Sequence, residues 1–546
     1  MHAGPFAKFG RERLACYSIK TPGRGKSTIA NQVKCSLNYL IGAYLAGAAD
    51  RSSLRDNSVN DDNLTQHTIV IGAGPAGLAA GYELARRGLA PLILERGPQI
   101  GGLARTEAHQ GYRFDIGGHR FFTKVTEIKD LWQDLLRSDF LTVHRLSRIY
   151  YRRRFFLYPL NLANVLHNLG PCESSLAVLS YLRARTWPLP EERSFEQYVI
   201  NRFGRRIYAA FFKTYTEKVW GIPCGRLDAE WAAQRIASLS FLRVVRSALP
   251  RSNGHIKSLI PAFEYPVLGP GMMWQRMQDR IEAWGGQIWL NSEVTGLQHD
   301  GRQVTAAEVQ RDGQRLVLPC RQVINSMPIN DLVTRLTPQL PAEALAAARR
   351  LQYRALLIVG LIVAGTNLFP DNWIYVHAPE FRVGRIQNFR NWSAGLAADD
   401  AHTHVGMEYF CDEGDAFWTM PDDALVRLAA DELAALGLAP RSAIEDGLVI
   451  RQPGAYPVYT GAYRQHLEVL RRALSGLNNL QTIGRNGMFR YNNLDHSMLT
   501  GLLAARNALG EQHDLWQVNA DQEYHEEVTT RRQRAAPQPR TAEEAV

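Results

Sequence analysis

The feature that most constrains the fold is a glycine-rich turn between an apolar run and an amphipathic segment. Residues 67–77 read HTIVIGAGPAG, in which Gly72, Gly74 and Gly77 form the pattern GxGxxG. A strand, this turn and a helix begin a dinucleotide-binding βαβ unit. Gly72 allows the tight turn, Gly74 lets the backbone approach a pyrophosphate, and Gly77 lets the helix pack on the strand. The sequence therefore predicts a Rossmann-type unit.

The residues that follow complete this unit. A second apolar run, residues 92–94, ends at Glu95, which lies 18 residues after Gly77. An acid near this spacing binds ribose hydroxyls, and its charge repels a 2′-phosphate. The helix N-terminus adds free N–H donors and a positive dipole for the phosphates. The cofactor-binding residues expected here are Gly72, Gly74, Pro75, Ala76, Gly77, Glu95 and Arg96.

Further glycine turns bear on which dinucleotide binds. Gly101-Gly102 precedes Arg105-Thr106, and such a turn lets the backbone pass close to phosphate or flavin. The arrangement resembles the FAD superfamily of amine oxidases and their relatives, and a plain NAD dehydrogenase does not need it. The sequence holds no second GxGxxG unit and no redox cysteine pair, both of which the disulfide reductases carry. FAD is therefore the expected cofactor, and its predicted contacts extend to Gly102, Leu103, Arg105, Gly117, Gly118 and His119.

The C-terminal part of the chain is predicted to return to the same sheet. An apolar run at 480–483 leads into Gly484, a polar loop, and an amphipathic helix that begins near Asp495–Ser497. This return implies an interrupted FAD domain. The helix N-terminus is expected to face the flavin, where its dipole stabilises negative charge on the reduced ring. The predicted contacts are Gly484, Asn493, Leu494 and Ser497, and superfamily likeness adds Val294 near the adenine.

Composition narrows the class of protein. Of the 546 residues, 45% are hydrophobic and 21% are charged, which excludes a disordered, collagen-like or disulfide-framework chain. The net charge is +10, of which residues 1–66 contribute nine basic against five acidic residues. The six cysteines form no CxxC pair and no zinc spacing, so no metal site is expected. No apolar run is long enough to predict a membrane span.

One basic segment leaves alternatives open. Residues 144–156 read HRLSRIYYRRRFF and contain five arginines but no acid. Contact with nucleic acid or with a membrane surface would fit this pattern. The alternation of apolar residues fits better with two strands, IYY and FFLYP, joined by a basic turn. We therefore predict a hairpin here and no nucleic-acid partner.

Several motifs in one order carry a family resemblance over residues 67–512. They resemble UDP-galactopyranose mutase, particularly its eukaryotic branch, and more loosely the protoporphyrinogen oxidase and amine oxidase relatives. The motifs are FDIGGHRFF (114–122), YP (158–159), YTEKVWGIP (215–223), WAAQRIA (231–237), FRVGRIQNF (381–389), YPVYT (456–460) and GMFRYNNLDHS (487–497).

The resemblance implies an α/β fold in which a Rossmann-type FAD-binding domain is interrupted by a helical domain and a mixed, mainly antiparallel β-sheet substrate domain. The predicted division is a disordered or cleavable leader at 1–66, the FAD-binding domain at 67–145, 263–335 and 475–515, the helical domain at 146–262, the sheet domain at 336–474, and a disordered tail at 516–546.

The resemblance also implies a reaction. The family converts a nucleotide sugar between pyranose and furanose forms without net redox change, with N5 of reduced flavin as the nucleophile. A flavin reductant such as NAD(P)H and a cytoplasmic role in cell-envelope biosynthesis, free or peripheral to the inner membrane, would follow. The alternative is an FAD-dependent oxidoreductase of the amine oxidase or protoporphyrinogen oxidase type, acting on an apolar or sugar-linked substrate. The oligomeric state is left open.

By motif match, two arginines would bind the diphosphate: Arg235 in WAAQRIA and Arg382 in EFRVGR, with Arg385 and Arg390 as close alternatives to the second. Arginine suits this task because its planar donors bind phosphate oxygens in pairs.

Polar side chains are expected to complete the site. Tyr456 and Tyr491 match tyrosines that bind the diphosphate, although either could instead be a core aromatic residue. Asn493 matches an asparagine in the same loop, with Asn492 as its alternative, and His119 would lie near flavin N5.

Overall fold

The computed structural model of the chain describes residues 68–160, 162–229, 257–259, 261–519 and 527–529. The predicted leader and Arg235 lie outside these described residues.

The strands of the described part are β1 (Thr68–Ile71), β2 (Leu92–Leu94), β3 (Thr106–His109), β4 (Tyr112–Asp115), β5 (Phe140–His144), β6 (Ser147–Tyr151), β7 (Arg154–Leu157), β8 (Lys257–Leu259), β9 (Ala262–Pro266), β10 (Gln287–Trp289), β11 (Ser292–His299), β12 (Val304–Arg311), β13 (Gln314–Pro319), β14 (Gln322–Asn325), β15 (Leu336–Thr337), β16 (Tyr353–Ala364), β17 (Trp373–Val376), β18 (Arg385–Asn388), β19 (His402–Cys411), β20 (Ile444–Pro457), β21 (Leu480–Thr482) and β22 (Glu527–Thr529).

The α-helices of the described part are α1 (Pro75–Arg86), α2 (Thr126–Leu136), α3 (Leu162–Leu169), α4 (Pro171–Thr186), α5 (Phe195–Tyr208), α6 (Thr214–Trp220), α7 (Gly271–Ala283), α8 (Ile329–Thr334), α9 (Ala342–Ala348), α10 (Asp422–Ala435), α11 (Tyr463–Leu474) and α12 (Leu494–Ala508). A π-helical turn, Ala209–Lys213, joins α5 to α6.

A five-stranded parallel sheet organises the dinucleotide-binding part, in the order β10-β2-β1-β14-β21. Its strands β1 and β2 are short apolar runs buried along their whole length, as strands of a parallel sheet covered by helices require. Ile69 pairs with Leu92 on one side and with Val323 on the other. Because β21 comes more than 380 residues after β2, the sheet is interrupted by the rest of the fold. The predicted α/β class with sheet and helical parts is confirmed.

Helices α1 and α12 approach each other closely beside this sheet. A Cβ atom at Gly501 would lie 2.1 Å from the carbonyl oxygen of Ala76, and one at Gly77 would lie 1.8 Å from that of Gly72. Real Cβ atoms do not approach so closely, so only glycine permits these backbone contacts. The contact of α1 with α12 therefore brings an N-terminal and a C-terminal segment of the described chain together beside the sheet.

A seven-stranded sheet forms the second large layer, in the order β20-β16-β19-β18-β17-β6-β7. Its only parallel pair is β17 with β6; the others are antiparallel. The hairpin of β6 and β7 fell within the predicted helical domain, but the structure adds it to this sheet. Arg148 of β6 forms a bidentate ion pair with Asp371, which is fully buried. This charge-assisted pair stabilises the junction that sequence alone did not indicate.

The smaller elements complete the fold. A four-stranded sheet has the order β13-β12-β11-β15, and its strands lie in the sequence between β10 and β16. Strand β22, within the predicted disordered tail, pairs antiparallel with β8. Helices α3 to α6 bring an apolar core of phenylalanine, tyrosine and tryptophan residues against one face of the seven-stranded sheet. No helix of the described part is long and apolar enough to cross a membrane.

Burial of His404 makes the stability of the protein depend on pH. His404 of β19 lies among the rings of Phe114 and Phe389, and burial lowers its pKa to about 4. The unfolded chain binds a proton near pH 6.5, so acidification below that pH favours unfolding. Between about pH 6.5 and pH 5, this histidine lowers the free energy of unfolding by about 2 kcal/mol. We expect the His404→Phe variant to lack this part of the decrease. Denaturant unfolding at both pH values measures this; an unchanged pH dependence would contradict the assignment.

Candidate functional site

A cavity of about 1320 Å³ runs along the carboxyl ends of the parallel strands. Ile71 ends β1, Leu94 ends β2, and Ser326 and Gly484 follow β14 and β21; all four residues line it. Ligands of open α/β sheets bind at this edge. From there the cavity continues between the helical layer and the seven-stranded sheet, to Phe211 and beyond.

The glycine turns form a narrow passage in this cavity. Gly74 precedes helix α1 and has no side-chain cap, so the first N–H groups of the helix are available to a ligand. Across the passage, a Cβ atom at Gly102 would lie 3.1 Å from Cα of Gly74. Gly72 and Gly102 have φ values of +92° and +52°, which glycine adopts at no steric cost. These features fit a dinucleotide pyrophosphate.

Glu95 is held at the rim of the same passage. Its carboxylate accepts hydrogen bonds from the backbone N–H groups of Ala73 (2.7 Å) and Gly97 (2.9 Å). Since each carboxylate oxygen accepts two bonds, both oxygens can still accept one from a ribose hydroxyl. The first three residues of β11, which are Ser292, Glu293 and Val294, also line the cavity. This end of the cavity therefore fits the nucleoside half of a dinucleotide.

Nearly all of the predicted cofactor residues line the cavity. Gly77 is the exception, because it is buried against Gly72 beneath the passage and acts through helix packing. The predicted residues that line the cavity are Gly72, Gly74, Pro75, Ala76, Glu95, Arg96, Gly102, Leu103, Arg105, Gly117, Gly118, His119, Val294, Gly484, Asn493, Leu494 and Ser497.

The middle of the cavity has the features expected around a flavin ring. Gly117 has a φ of +90°, and Gly118 and His119 follow it along the wall. The N-terminus of α12 faces the cavity, with Asn493 as an N-cap residue whose side chain makes no capping bond. Its free N–H groups would stabilise negative charge at this point. Asn492, the alternative to Asn493, has a different role in the structure. It is 1% exposed, and its side-chain amide donates to the carbonyl oxygen of Gly484.

His119 is a neutral side chain in this wall. Its Nε2 lies 2.8 Å from the carbonyl oxygen of Ile116 and donates to it. Burial is the main cause that lowers its pKa to about 4, and the guanidinium groups of Arg485 and Arg385 lower it further. Both arginines are therefore close enough to give this part of the cavity a positive potential. A neutral imidazole here suits positioning rather than proton transfer near pH 7.

Tyr456 and Tyr491, 35 residues apart in the sequence, meet in the cavity. Their rings stack with centroids 5.8 Å apart, and Trp220 contacts both at 6.2 and 6.3 Å. Burial raises the pKa of Tyr456, so its phenol keeps its proton and can donate a hydrogen bond.

The cation beside these tyrosines is Arg485, which sequence reasoning missed. Its guanidinium lies 4.3 Å from the ring of Tyr491 and donates to the carbonyl oxygens of Ala455 and Asn492. No carboxylate of the described residues forms an ion pair with it, so its charge is compensated only by neutral groups. Its position directly after Gly484, at the end of a sheet strand, is the signal that could have identified it.

The predicted arginine in FRVGR is corrected by the structure. Arg382 does not line the cavity; its guanidinium packs 4.0 Å from the ring of Phe417 on the outer side. Arg385 lines the cavity instead, where it forms a bidentate ion pair with Glu408 at 2.8 and 2.6 Å. Side chains three residues apart in an extended chain point to opposite faces, so only one of the two arginines can face the cavity.

The far end of the cavity is an aromatic chamber. Its walls come from α5, the π-helical turn, α6 and the seven-stranded sheet. The rings of Tyr215 and His377 stack there at 5.0 Å, and burial lowers the pKa of His377 to about 3. The chamber walls are Tyr158, Phe195, Phe203, Phe211, Phe212, Tyr215, Trp220, Tyr375 and His377.

Known flavoenzymes resemble this chain, in agreement with the prediction that the cavity binds FAD. Coproporphyrinogen III oxidase from Mycobacterium leprae is 23% identical over 391 residues, which are 67% of this chain and 82% of that protein. A probable UDP-galactopyranose mutase from Klebsiella pneumoniae is 23% identical over 168 residues, 30% of this chain and 43% of that protein. The crystal structure of reduced UDP-galactopyranose mutase superposes with a TM-score of 0.73 at 20% identity, over 84% of this chain and 100% of that one. At this identity the likeness shows a shared fold.

A family model defines the class. The model for flavin containing amine oxidoreductases matches residues 75–509, which are most of the chain and include helix α1, the aromatic chamber and α12. The expected cofactor is confirmed as FAD, and the protein is an FAD-dependent enzyme. The chain belongs to the family of flavin containing amine oxidoreductases.

Proposed function

We propose that the protein acts on a nucleoside-diphosphate sugar and interconverts its pyranose and furanose forms. The observation that carries the proposal is the cluster of Arg485, Tyr456 and Tyr491 in the cavity beside the flavin end. A guanidinium that has no carboxylate partner among the described residues is suited to bind an anion together with two phenol groups, and a diphosphate is such an anion. The motif resemblance and the shared fold with a UDP-galactopyranose mutase support the same substrate class.

Tyr456 and Arg485 of this cluster have separate tasks in the proposed reaction. Tyr456 donates a hydrogen bond to the departing diphosphate, and the charge of Arg485 stabilises the negative charge that develops on it. Reduced FAD, when bound, supplies a nucleophilic N5 for the anomeric carbon. Neutral His119 and the N-terminus of α12 hold the ring in position and favour its anionic reduced form. A donor such as NAD(P)H would supply the electrons that reduce the flavin.

The reaction is tested by incubating dithionite-reduced protein with a panel of nucleoside-diphosphate sugars and separating the products by chromatography. We expect a furanose product from one of them with the reduced protein and none with the oxidised protein. Saturable binding of none of the panel would overturn the proposal.

A specific observation favours a second candidate, an FAD-dependent oxidoreductase of an apolar substrate. The aromatic chamber, with Phe203, Phe211 and Phe212 in its walls, offers a flat apolar substrate more contact than a sugar needs. The relative from Mycobacterium leprae is named as an oxidase of coproporphyrinogen III. A substrate that donates electrons would bleach the flavin absorbance of the oxidised protein under anaerobic conditions, whereas a mutase substrate would not. The same panel, extended by apolar substrates and added to the oxidised protein, therefore distinguishes the two.

A further inference from the structure

Exposed apolar side chains concentrate in one region of the helical layer. Ten large hydrophobic residues of the described part are exposed, and seven of them lie between residues 157 and 187. The other three are scattered, at Trp284, Val317 and Leu509. The seven, here called the 157–187 patch, are Leu157, Leu166, Leu176, Val178, Leu179, Leu182 and Trp187. A cluster of this kind marks an interaction surface, whereas single exposed hydrophobic residues do not.

Helix α4 presents most of this patch on one face. Its buried face consists of Ser174, Ala177, Tyr181 and Ala184, which follow helical spacing. The apolar residues of the patch fall on the opposite face, because Leu179 and Leu182 are three residues apart and are 61% and 51% exposed. The helix is therefore apolar on both faces, but the fold covers only one of them.

The neighbouring elements extend the patch into a continuous surface. The amide of Leu157, at the end of β7, donates to the side chain of Asn164 in α3 at 2.9 Å. At the N-terminal end of α4, Glu173 lies 3.6 Å from Arg152 in the turn between β6 and β7. Strand β7, helix α3 and helix α4 thus present their exposed residues side by side.

The segment that carries the patch is predominantly basic. Residues 152–187 contain five arginines and a single acid, Glu173, which pairs with Arg152 and Arg206. On the wheel of α4, Arg185 lies at one edge of the apolar stripe, and Arg183 lies near the other edge, about 160° away, between Leu179 and Leu176. An apolar stripe between arginines fits the boundary between lipid headgroups and acyl chains. It fits a second copy of the chain less well, since a two-fold contact would bring the positive rim against itself.

The turn that carries the basic residues is unusual for its sequence. Arg152 and Arg153 have φ values of +49° and +59°, which a two-residue hairpin turn of this type requires and which Asn-Gly satisfies best. Each left-handed non-glycine residue costs about 1 kcal/mol or more. A pair of arginines therefore does not serve the turn itself. Although Arg152 lies 3.6 Å from Glu173, its side chain is 61% exposed, and Arg153 is exposed as well, so both can reach an anionic surface.

We propose that the 157–187 patch docks the protein on an anionic lipid bilayer, with Leu179, Leu182 and Trp187 in the interfacial layer and Arg152 and Arg153 on the headgroups. Tyr158, Pro159 and Leu160, which directly follow Leu157, line the cavity. Docking in this way would therefore bring one wall of the cavity next to the membrane. The proposal concerns the surface alone and does not depend on which reaction the site carries out.

Co-sedimentation of the full-length protein with vesicles tests the proposal. We expect binding to vesicles of equal parts phosphatidylglycerol and phosphatidylcholine, and little binding to phosphatidylcholine alone. Added salt should weaken it, because the basic residues act through a screened potential. Binding to neither kind of vesicle, or equal binding to both, would overturn the proposal.

Three variants make the test specific. Leu179→Ser with Leu182→Ser should weaken vesicle binding about tenfold or more. Trp187→Ala should also weaken it, whereas the matched control Trp284→Ala should not. Arg152→Asn with Arg153→Gly should weaken binding about tenfold while the thermal unfolding temperature stays equal or rises, because Asn-Gly suits the turn. A fall in unfolding temperature with unchanged vesicle binding would assign the arginines to the fold and overturn their role.

Sedimentation velocity identifies the competing occupant. We expect the Leu179→Ser, Leu182→Ser variant to have the same oligomeric state as the parent. Dissociation of a parent dimer by this variant would show that a second copy covers the patch and would overturn the membrane proposal.

Discussion

Replacing Gly74 by valine should give a folded protein that binds FAD about 10- to 100-fold more weakly, whereas replacing Gly77 by alanine should damage the fold itself. Among residues beyond the chain neighbours of Gly74, the nearest atom to a Cβ at Gly74 is Cα of Gly102, at 3.8 Å, which is an ordinary van der Waals contact. The new side chain would occupy the space of the pyrophosphate. A Cβ at Gly77 would lie 1.8 Å from the carbonyl oxygen of Gly72, and backbone at that distance cannot give way cheaply.

The two outcomes are separated by measuring bound flavin and unfolding together. For Gly74→Val we expect FAD affinity to fall about 10- to 100-fold, the range that overpacking of this size produces, with a near-normal unfolding temperature. For Gly77→Ala we expect a loss of about 3 kcal/mol or more in the free energy of unfolding. Gly461→Ala is the control, because no atom lies within 4 Å of its new Cβ. An FAD affinity that is unchanged in Gly74→Val would contradict the position of the pyrophosphate.

The nucleotide end of the site could be predicted because its determinants are local. Gly72, Gly74 and Glu95 lie within one βαβ unit, and the turn chemistry of glycine together with the spacing to the acid is sufficient to position them. The helix at the C-terminal end was predicted to begin near Asp495, and it begins at Leu494. In both cases the signal lies in consecutive residues and needs no knowledge of distant contacts.

The substrate end depends on contacts between distant segments. Arg382 and Arg385 lie in one motif, and only the register of β18 against β19, which pairs Arg385 with Glu408, decides which arginine faces the cavity. Arg485 gains its importance from Tyr456, which reaches it from another sheet. The hairpin of β6 and β7 was predicted from its own alternation, but its partner strand β17 lies more than 200 residues away. Pairings of this kind are not encoded in local periodicity.

Removing the charge of Arg485 should abolish most of the affinity for nucleotide while leaving FAD in place. Its guanidinium is the cation beside Tyr456 and Tyr491, and no carboxylate of the described residues compensates it. A charge-assisted hydrogen bond to a diphosphate contributes about 1.5 to 3 kcal/mol, so Arg485→Gln should raise the Kd for UDP about 10- to 100-fold. Arg485→Lys keeps the charge but loses the paired donors, and we expect an intermediate effect.

A matched control and a second measurement show whether the change in the Kd for UDP arises from the charge of Arg485. Arg382→Gln removes the same charge from a residue that lies just before β18 and outside the cavity, and it should leave the Kd for UDP unchanged. Since the positive charge of Arg485 contributes to lowering the pKa of His119, that pKa should rise in Arg485→Gln, which NMR titration of the imidazole can follow. If UDP binding weakens in Arg382→Gln but not in Arg485→Gln, the diphosphate site lies elsewhere. If the pKa of His119 rises without a change in UDP affinity, Arg485 faces the flavin end of the cavity but not the substrate.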